Sequence, residues 1–357
     1  MTAARNQKPT RHAVSLWEGE IVEESELGSL RRLTADNFPI LRGMSIKRLL
    51  VNPGAMRTPH WHANTNELTY CLSGTALVSV LDDGSRFASF VVRAGDMFHI
   101  DSGSLHHIEN IGTDVAEFII TFRSERPEDF GLAGAFGAMT SAVLGNTYDL
   151  DADDFTTIRG GADRALARRP GDPEVPSTAY FDDPHKFAVE AMSPPVGVAV
   201  GSARTARMQF WPALKDLSMY SLRIREDGMR EPHWHPITAE MGYVHKGAAR
   251  MTVLDPDGTI DTWYLNEGDV YFVPRAYPHH IEVIDAPEIH FCIFFDQPTP
   301  GDIGYRASAS AYSREVLAAT FDTHIEDLPD FPFTKSDPLI VNRRNPVDAH
   351  GVGEVAT

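Results

Sequence analysis

Arg57-Thr58-Pro59-His60-Trp61-His62 recurs as Arg230-Glu231-Pro232-His233-Trp234-His235, an offset of 233 − 60 = 173 residues. The register persists downstream. Glu67 maps to Glu240, Gly74 to Gly247, Gly95-Asp96 to Gly268-Asp269, and His106-His107 to His279-His280. Landmarks that hold one offset over about fifty residues in each copy do not arise by chance. The 357-residue chain is a tandem duplication. Two domains are expected: residues 1–165 with an N-terminal arm, and residues 166–357 with a connector and a tail.

Each copy reads as β structure. Met44–Val51, Ala76–Leu81, Phe87–Val92, Met97–Ile100 and Glu117–Phe122 in the first copy are answered by Met219–Ile224, Ala249–Leu254, Trp263–Leu265, Val270–Val273 and Ile289–Phe295 in the second. These runs are short and rich in β-branched and aromatic residues. Turn signals such as Asp82-Asp83-Gly84 and Asp255-Pro256-Asp257-Gly258 separate them. Many short strands without long intervening helices predict an all-β fold, one sandwich or barrel per copy. Helical pattern follows each copy, at Ala135–Leu144 and at Ser313–Thr320, the second with Ser313 as N-cap. Ala165–Pro195 reads as a connector. The first forty or so residues and the tail after Asn342 have weak patterning and are expected to wrap or stay mobile.

Side chains alternate faces along a strand, so His60 and His62 point one way and Trp61 the other. The same parity pairs His233 with His235. Glu67 and Glu240 each open the next alternating run, and His106 and His279 follow a Gly-Asp turn and a strand. Three imidazoles and one carboxylate converging inside a barrel make a metal site, here once per copy. A lone histidine would be a core or surface residue. A His-x-His pair, a carboxylate and a distant His kept together in both copies are not. His107, His280 and His245 are expected to face outward. By parity, Thr69 and Cys71 line the first pocket and Gly242 and Val244 the second, a small, fairly apolar lining.

Composition sets the class. Hydrophobic residues make up 42% and charged residues 23%, which suits a globular chain rather than a disordered one. The net charge of −18 (32 − 50) repels phosphate backbones and anionic lipid, so neither nucleic acid nor membrane is expected as a partner. An anionic substrate would need a local cation. Two cysteines, Cys71 and Cys292, form no disulfide framework and fit a reducing compartment. Met1–Val14 lacks the apolar core of a signal peptide and the apolar runs are strand-sized, so a cytoplasmic protein is expected.

The pattern Gly54-x5-His60-x-His62-x4-Glu67-x6-Gly74, then Gly95-x5-Asp101-x-Gly103-x2-His106-x3-Asn110, resembles that of the cupins. The second copy shows His233-x-His235-x4-Glu240-x6-Gly247, then Gly268-x5-Pro274-x-Ala276-x2-His279. It departs in the closer Gly228, in Ala276 for Gly and in Val283 for Asn, none of them a ligand. The resemblance spans both halves and implies two tandem cupin barrels (double-stranded β-helix, jelly roll), with short helices after each. Two copies of Arg-x-Pro-His-Trp-His are similar to the bicupin oxalate decarboxylases. Phe38-Pro39-Ile40-Leu41-Arg42-Gly43 and Pro184-His185-Lys186-Phe187 extend that likeness. It implies Mn2+ at each site, oxalate and O2 as partners, formate and carbon dioxide as products, a homo-oligomer, and Arg57 and Arg230 holding the substrate carboxylate. The ligand set alone suits Fe2+, Co2+, Ni2+ or Zn2+ as well.

Two expectations stay open at this level. Strict alternation puts Arg57 and Arg230 on the face opposite the ligands, as in a surface salt bridge, whereas a bend at Pro59 or Pro232 brings them inward. The proton donor is the other. The family's lid carries a glutamate in Ser-Glu-Asn-Ser-Thr, and the matching stretch here, Phe122 to Gly134, lacks it. Glu128 or Asp129 are candidates, with Gly131 to Gly134 as a hinge, against a solvated charged turn. In the second copy Glu315 falls where the family has a helix-borne glutamate, and it equally suits the first turn of a helix. The donor determines whether formate or peroxide results. A related oxidase, dioxygenase or isomerase acting on a small organic acid is the alternative. A storage or binding bicupin is disfavoured, because such proteins usually lack the ligands and all eight are present here.

Overall fold

The structure is a computed structural model that describes residues 10–159 and 162–347. One compact unit holds Leu16–Met192 and Met208–Leu217. The other holds Ser193–Arg207 and the described parts of Met1–Ser15 and Ser218–Thr357.

In the N-terminal barrel, all neighbouring strands are antiparallel. A seven-stranded sheet runs in the order Lys186–Phe187, Met97–Ile100, Glu67–Ser73, Ala116–Phe122, Ser45–Val51, Gly28–Leu33, Glu20–Ser25. The facing sheet runs Asp129–Gly131, Ala55–His62, Leu105–Asn110, Thr75–Asp83, Arg86–Arg93, and Leu166–Arg168 also pairs with Ala55–His62. The inner faces interdigitate through Leu49, Val51, Val78, Val80, Phe90, Phe98, Phe118 and Phe122, all buried.

The C-terminal barrel repeats this plan. Ala13–Ser15, Asp269–Val273, Glu240–Lys246, Glu288–Phe295, Ser218–Arg225, Gly201–Ala206 and Val196–Val198 form one sheet. Ile260–Asn266, Ala248–Leu254, His279–Val283, Gly228–Trp234 and Ile303–Gly304 form the other, with Ile340–Asn342 beside Gly228–Trp234. The 173-residue offset therefore covers nearly every strand. It also explains Gly74 and Gly247. Both have positive φ (82° and 88°), and a Cβ there would strike the backbone of Ala116 or Glu288.

Residues 10–40 carry more structure than their patterning predicts. Glu20–Ser25 and Gly28–Leu33 extend the N-terminal barrel's sheet, while Ala13–Ser15 adds to the C-terminal one. His12 anchors that strand. It is fully buried, stacks on Trp263 and bonds the Phe272 carbonyl and Asp255. Its counterpart 185 − 12 = 173 residues on, His185, stacks on Phe90 and bonds Asp82, in the stretch that reads as a connector. Both straps were invisible because each is only two or three residues long and takes its partners from far along the chain. Residues 1–9 and 348–357 lie outside the described residues.

The helices differ in detail. Ala135–Leu144 is not one helix but parts of two, Leu132–Gly137 and Ser141–Tyr148, the second capped by Thr140 accepting from the Val143 N–H. Tyr305–Ala311 is a further helix. Arg314–Thr320 is capped by Ser313, as expected.

Candidate metal centres

His60 and His62 lie on Ala55–His62, Glu67 opens Glu67–Ser73, and His106 is the second residue of Leu105–Asn110, directly opposite His60. One ligand atom from each of the four falls within 4.8 Å of the others. His233, His235, Glu240 and His279 form the second group under the same limit, with His233 opposite His279. All eight side chains are buried.

Hydrogen bonding orients every ring. His60 Nδ1 meets the Thr58 carbonyl at 2.8 Å, His106 Nδ1 that of Ser104 at 3.0 Å, and His62 Nδ1 the Asp129 carboxylate at 2.7 Å. In the second site the partners are the carbonyls of Glu231 (2.8 Å) and Tyr277 (2.9 Å). His235 Nδ1 lies 3.1 Å from the Gly301 carbonyl and 2.9 Å from Asp302. Each Nδ1 faces an acceptor, so it carries a proton, and each Nε2 is left to point at the centre. Nε2 of His106, His233 and His279 is buried without a hydrogen bond. Buried, unsatisfied acceptors of this kind fit a cation.

The electrostatics agree. Burial and the Arg57 charge hold the His60 imidazole well below its ordinary value, and His233 is likewise lowered by burial and Arg230. Burial would raise the carboxyls of Glu67 and Glu240, but their histidine neighbours outweigh it and hold both well below the usual range. Burial would lower His235, yet Asp302 and Glu240 hold it up to about 9. Neutral imidazoles and ionised carboxylates are the forms that ligate, so His60, His233, Glu67 and Glu240 stand ready and His235 must give up a proton to do so.

The arginines face inward. Arg57 and Arg230 are 7% and 5% exposed. Pairing slips by one residue between His60 and Arg57, and again between His233 and Arg230, so a bulge at Thr58-Pro59 and at Glu231-Pro232 reverses the parity. Proline, which has no N–H for the ladder, suits that position.

Asp129 is a candidate from the sequence beside Glu128, whereas Asp302 emerges from the fold. The stretch Pro127-Glu128-Asp129-Phe130-Gly131 matches Pro300-Gly301-Asp302-Ile303-Gly304, and 302 − 129 = 173, so the repeat carried the signal. Asp129–Gly131 pairs with His60 to His62 and turns Asp129 onto His62, while Lys47 Nζ reaches the same carboxylate at 2.5 Å and Arg57 approaches to 3.8 Å. Asp302 binds Arg230 and flanks His235. The Glu128 side chain is exposed. Glu315 is exposed in the first turn of Arg314–Thr320, its carboxyl lowered by its own N–H and by Ser313.

The two centres differ in what supports the glutamate. Thr69 Oγ donates to Glu67 at 2.8 Å, as parity predicts for an inward residue. Gly242 takes that place in the second copy, but the space is filled rather than open. A Cβ on Gly242 would collide with the Tyr271 ring, whose hydroxyl donates to Glu240 at 2.5 Å. Cys71 packs in the core, where burial pushes its thiol up to about 12. His107 and His280 lean outward toward Glu109 and Glu282.

Residues 18–154 and 194–327 match the family described as Cupin. Oxalate decarboxylase OxdC of Bacillus subtilis (strain 168) is 27% identical over 277 residues, 75% of this chain and 71% of that protein. A probable oxalate decarboxylase of Arthroderma benhamiae is 22% identical over 317 residues, 84% of this chain and 76% of that protein. A mutant of the Bacillus subtilis OxdC has a solved structure that superposes with a TM-score of 0.83 at 23% identity, covering 94% of this chain and 90% of that one. Another structure of that enzyme, at TM-score 0.82, 22% identity and the same coverage, is described for its Mn(II) centres.

Proposed function

The chain belongs to the cupin family, and on that footing we propose that it is a manganese-dependent enzyme that converts oxalate to formate and carbon dioxide. The observation that carries the proposal is the pair of buried three-histidine, one-glutamate centres, each with an arginine turned inward beside it. The relatives named oxalate decarboxylase and the Mn(II) centres described for one of them support the substrate and the metal.

His60, His62, Glu67 and His106 would hold one ion, and His233, His235, Glu240 and His279 the other. Bound manganese supplies a Lewis acid for a carboxylate and a one-electron couple for dioxygen chemistry. The protein contributes the rest. Nδ1 contacts fix each imidazole with Nε2 toward the centre, and Asp129 and Asp302 brace His62 and His235. Arg57 and Arg230 supply the guanidinium that an oxalate carboxylate needs in an otherwise acidic protein. Phe122 and Phe295 pack edge-on against His62 and His235 and keep water from that side. Each turnover breaks the C–C bond, releases carbon dioxide and adds one proton to the remaining carbon. The Asp129 carboxyl, which burial would raise but His62 and Lys47 hold low, stands ionised and accepts rather than donates.

No helix among the described residues is long and apolar enough to cross a membrane, and Cys71 and Cys292, both buried, are not joined in a disulfide. Two buried cysteines outside any disulfide support a reducing, cytoplasmic setting. Carbon-13 NMR of doubly labelled oxalate with the manganese-loaded protein, in air at mildly acid pH, tests the reaction. Growth of a formate signal is the expected result. Loss of oxalate without formate would indicate an oxidase, and unchanged oxalate would overturn the substrate.

A further inference from the structure

Lys47 sits where a barrel normally keeps an aliphatic side chain. It shares the inward face of Ser45–Val51 with Leu49 and Val51, and it is 4% exposed. Its Nζ lies 4.5 Å from the centre of the Phe122 ring, which in turn packs on the ligand His62. An ammonium in such a place is costly to desolvate, and a hydrophobic residue of similar volume would stabilise the barrel better.

The duplication provides an internal control. The residue 173 positions on is Tyr220, again on the inward row, with Leu222 and Ile224. Its hydroxyl meets Arg207, and burial together with Asp302 raises it to about 12. Asp302 nevertheless keeps the place of Asp129, bound by Arg230 and beside His235. The aspartate therefore holds its position without a lysine. Bracing Asp129 does not account for Lys47.

The geometry around Asp129 indicates what does. Lys47 Nζ touches Asp129 Oδ2 at 2.5 Å and Arg57 approaches the same oxygen to 3.8 Å. Two buried cations thus converge on one carboxylate oxygen, next to a metal ligand. The carboxylate that occupies this cradle belongs to a side chain that is 29% exposed, carried on the three-residue edge strand Asp129–Gly131. An edge strand this short is among the segments most easily displaced.

We propose that Lys47 is a substrate-binding residue of the N-terminal centre: with Arg57 it takes the carboxylate of a small dianionic acid in the place Asp129 fills here. The proposal rests on the oxalate reading and sharpens it. A dianion brings two carboxylates, one for the metal and one for the Lys47–Arg57 cradle. The C-terminal centre presents Tyr220, with Arg207 at its hydroxyl, in place of the lysine, so the two centres differ in affinity for the same acid. Burial lowers the Lys47 ammonium while Asp129 raises it, and an arriving carboxylate would take over that support.

Calorimetric titration of the manganese-loaded full chain with oxalate under nitrogen reads binding without turnover. Lys47→Met should weaken one of two binding events about 10- to 100-fold, the loss of one charge-assisted hydrogen bond. Manganese content, measured by plasma emission, should stay unchanged. Lys47→Arg should restore most of the affinity, and Tyr220→Lys should tighten the weaker event, which keeps the test decisive if the methionine variant folds poorly. Unchanged binding in both lysine variants, or a fall in manganese content, would overturn the assignment. Oxalate binding that depends on Lys47 without any formate would overturn the decarboxylase reading alone. Formate production indifferent to Lys47 would do the reverse, and a wild-type chain that binds no oxalate would overturn both.

Discussion

Asp129→Asn removes a charge and almost no volume, and its effect can be worked from the structure. The Asn oxygen still accepts from His62 Nδ1, so the ring keeps its orientation. What is lost is the counter-ion of Lys47, which is left buried against Phe122 and subject to the like charge of Arg57. Removing one partner of a buried pair costs about 3–5 kcal/mol. Because the Asp129 side chain is 29% exposed, water recovers part of that, and about 2–3 kcal/mol is the expected loss. For a unit of this size each kcal/mol moves the melting midpoint by about 2–4 °C, so a fall of about 4–12 °C follows. Calorimetric unfolding of the metal-free chain at pH 7 measures it without interference from metal binding. Adding Lys47→Met should recover most of the loss, since the orphaned ammonium goes with it. The pH dependence has a definite sign. The Asp129 carboxyl is lower in the folded state than in the unfolded chain, so its contribution is complete above the unfolded carboxylate range and disappears as pH falls toward the folded value. The gap between wild type and Asp129→Asn should therefore close in acid. A variant that melts within a degree of wild type, or a double variant no better than the single, would refute the reasoning.

Glu67→Gln and Glu240→Gln should each lower bound manganese by about one per chain, read by elemental analysis; retention of both ions would sink the ligand assignment. Arg57→Lys keeps the charge but loses the planar fork, so KM for oxalate should rise without metal loss, and unchanged kinetics would return Arg57 to a structural role. His235 is held up to about 9, so at pH 7 the metal-free C-terminal centre carries that proton. Manganese binding there should release about one proton, with affinity falling about tenfold per unit as pH drops below 9, and pH-independent binding would contradict it.

Much of this was legible in the chain itself. The 173-residue repeat located both ligand sets, because ligands come from strands whose period-2 pattern and turn residues are local properties. Parity alone puts His60 and His62 on one face of their strand, while His106 comes from the neighbouring strand and Glu67 from the facing sheet. The prolines in Arg-x-Pro-His-Trp-His hinted at a bend.

The remainder was decided by tertiary structure. Whether the Pro59 bend becomes a bulge depends on the pairing of Ala55–His62 with Leu105–Asn110, and that register alone turned Arg57 inward. Lys47 is one basic residue in a hydrophobic run until the barrel closes and sets its ammonium against Asp129, 82 residues away. Tyr271 fills the room left by Gly242 only because the strands Glu240–Lys246 and Asp269–Val273 are neighbours. Local pattern specifies which residues share a face. Which faces meet, and therefore which charges must neutralise one another away from water, is set only when the sheets pack.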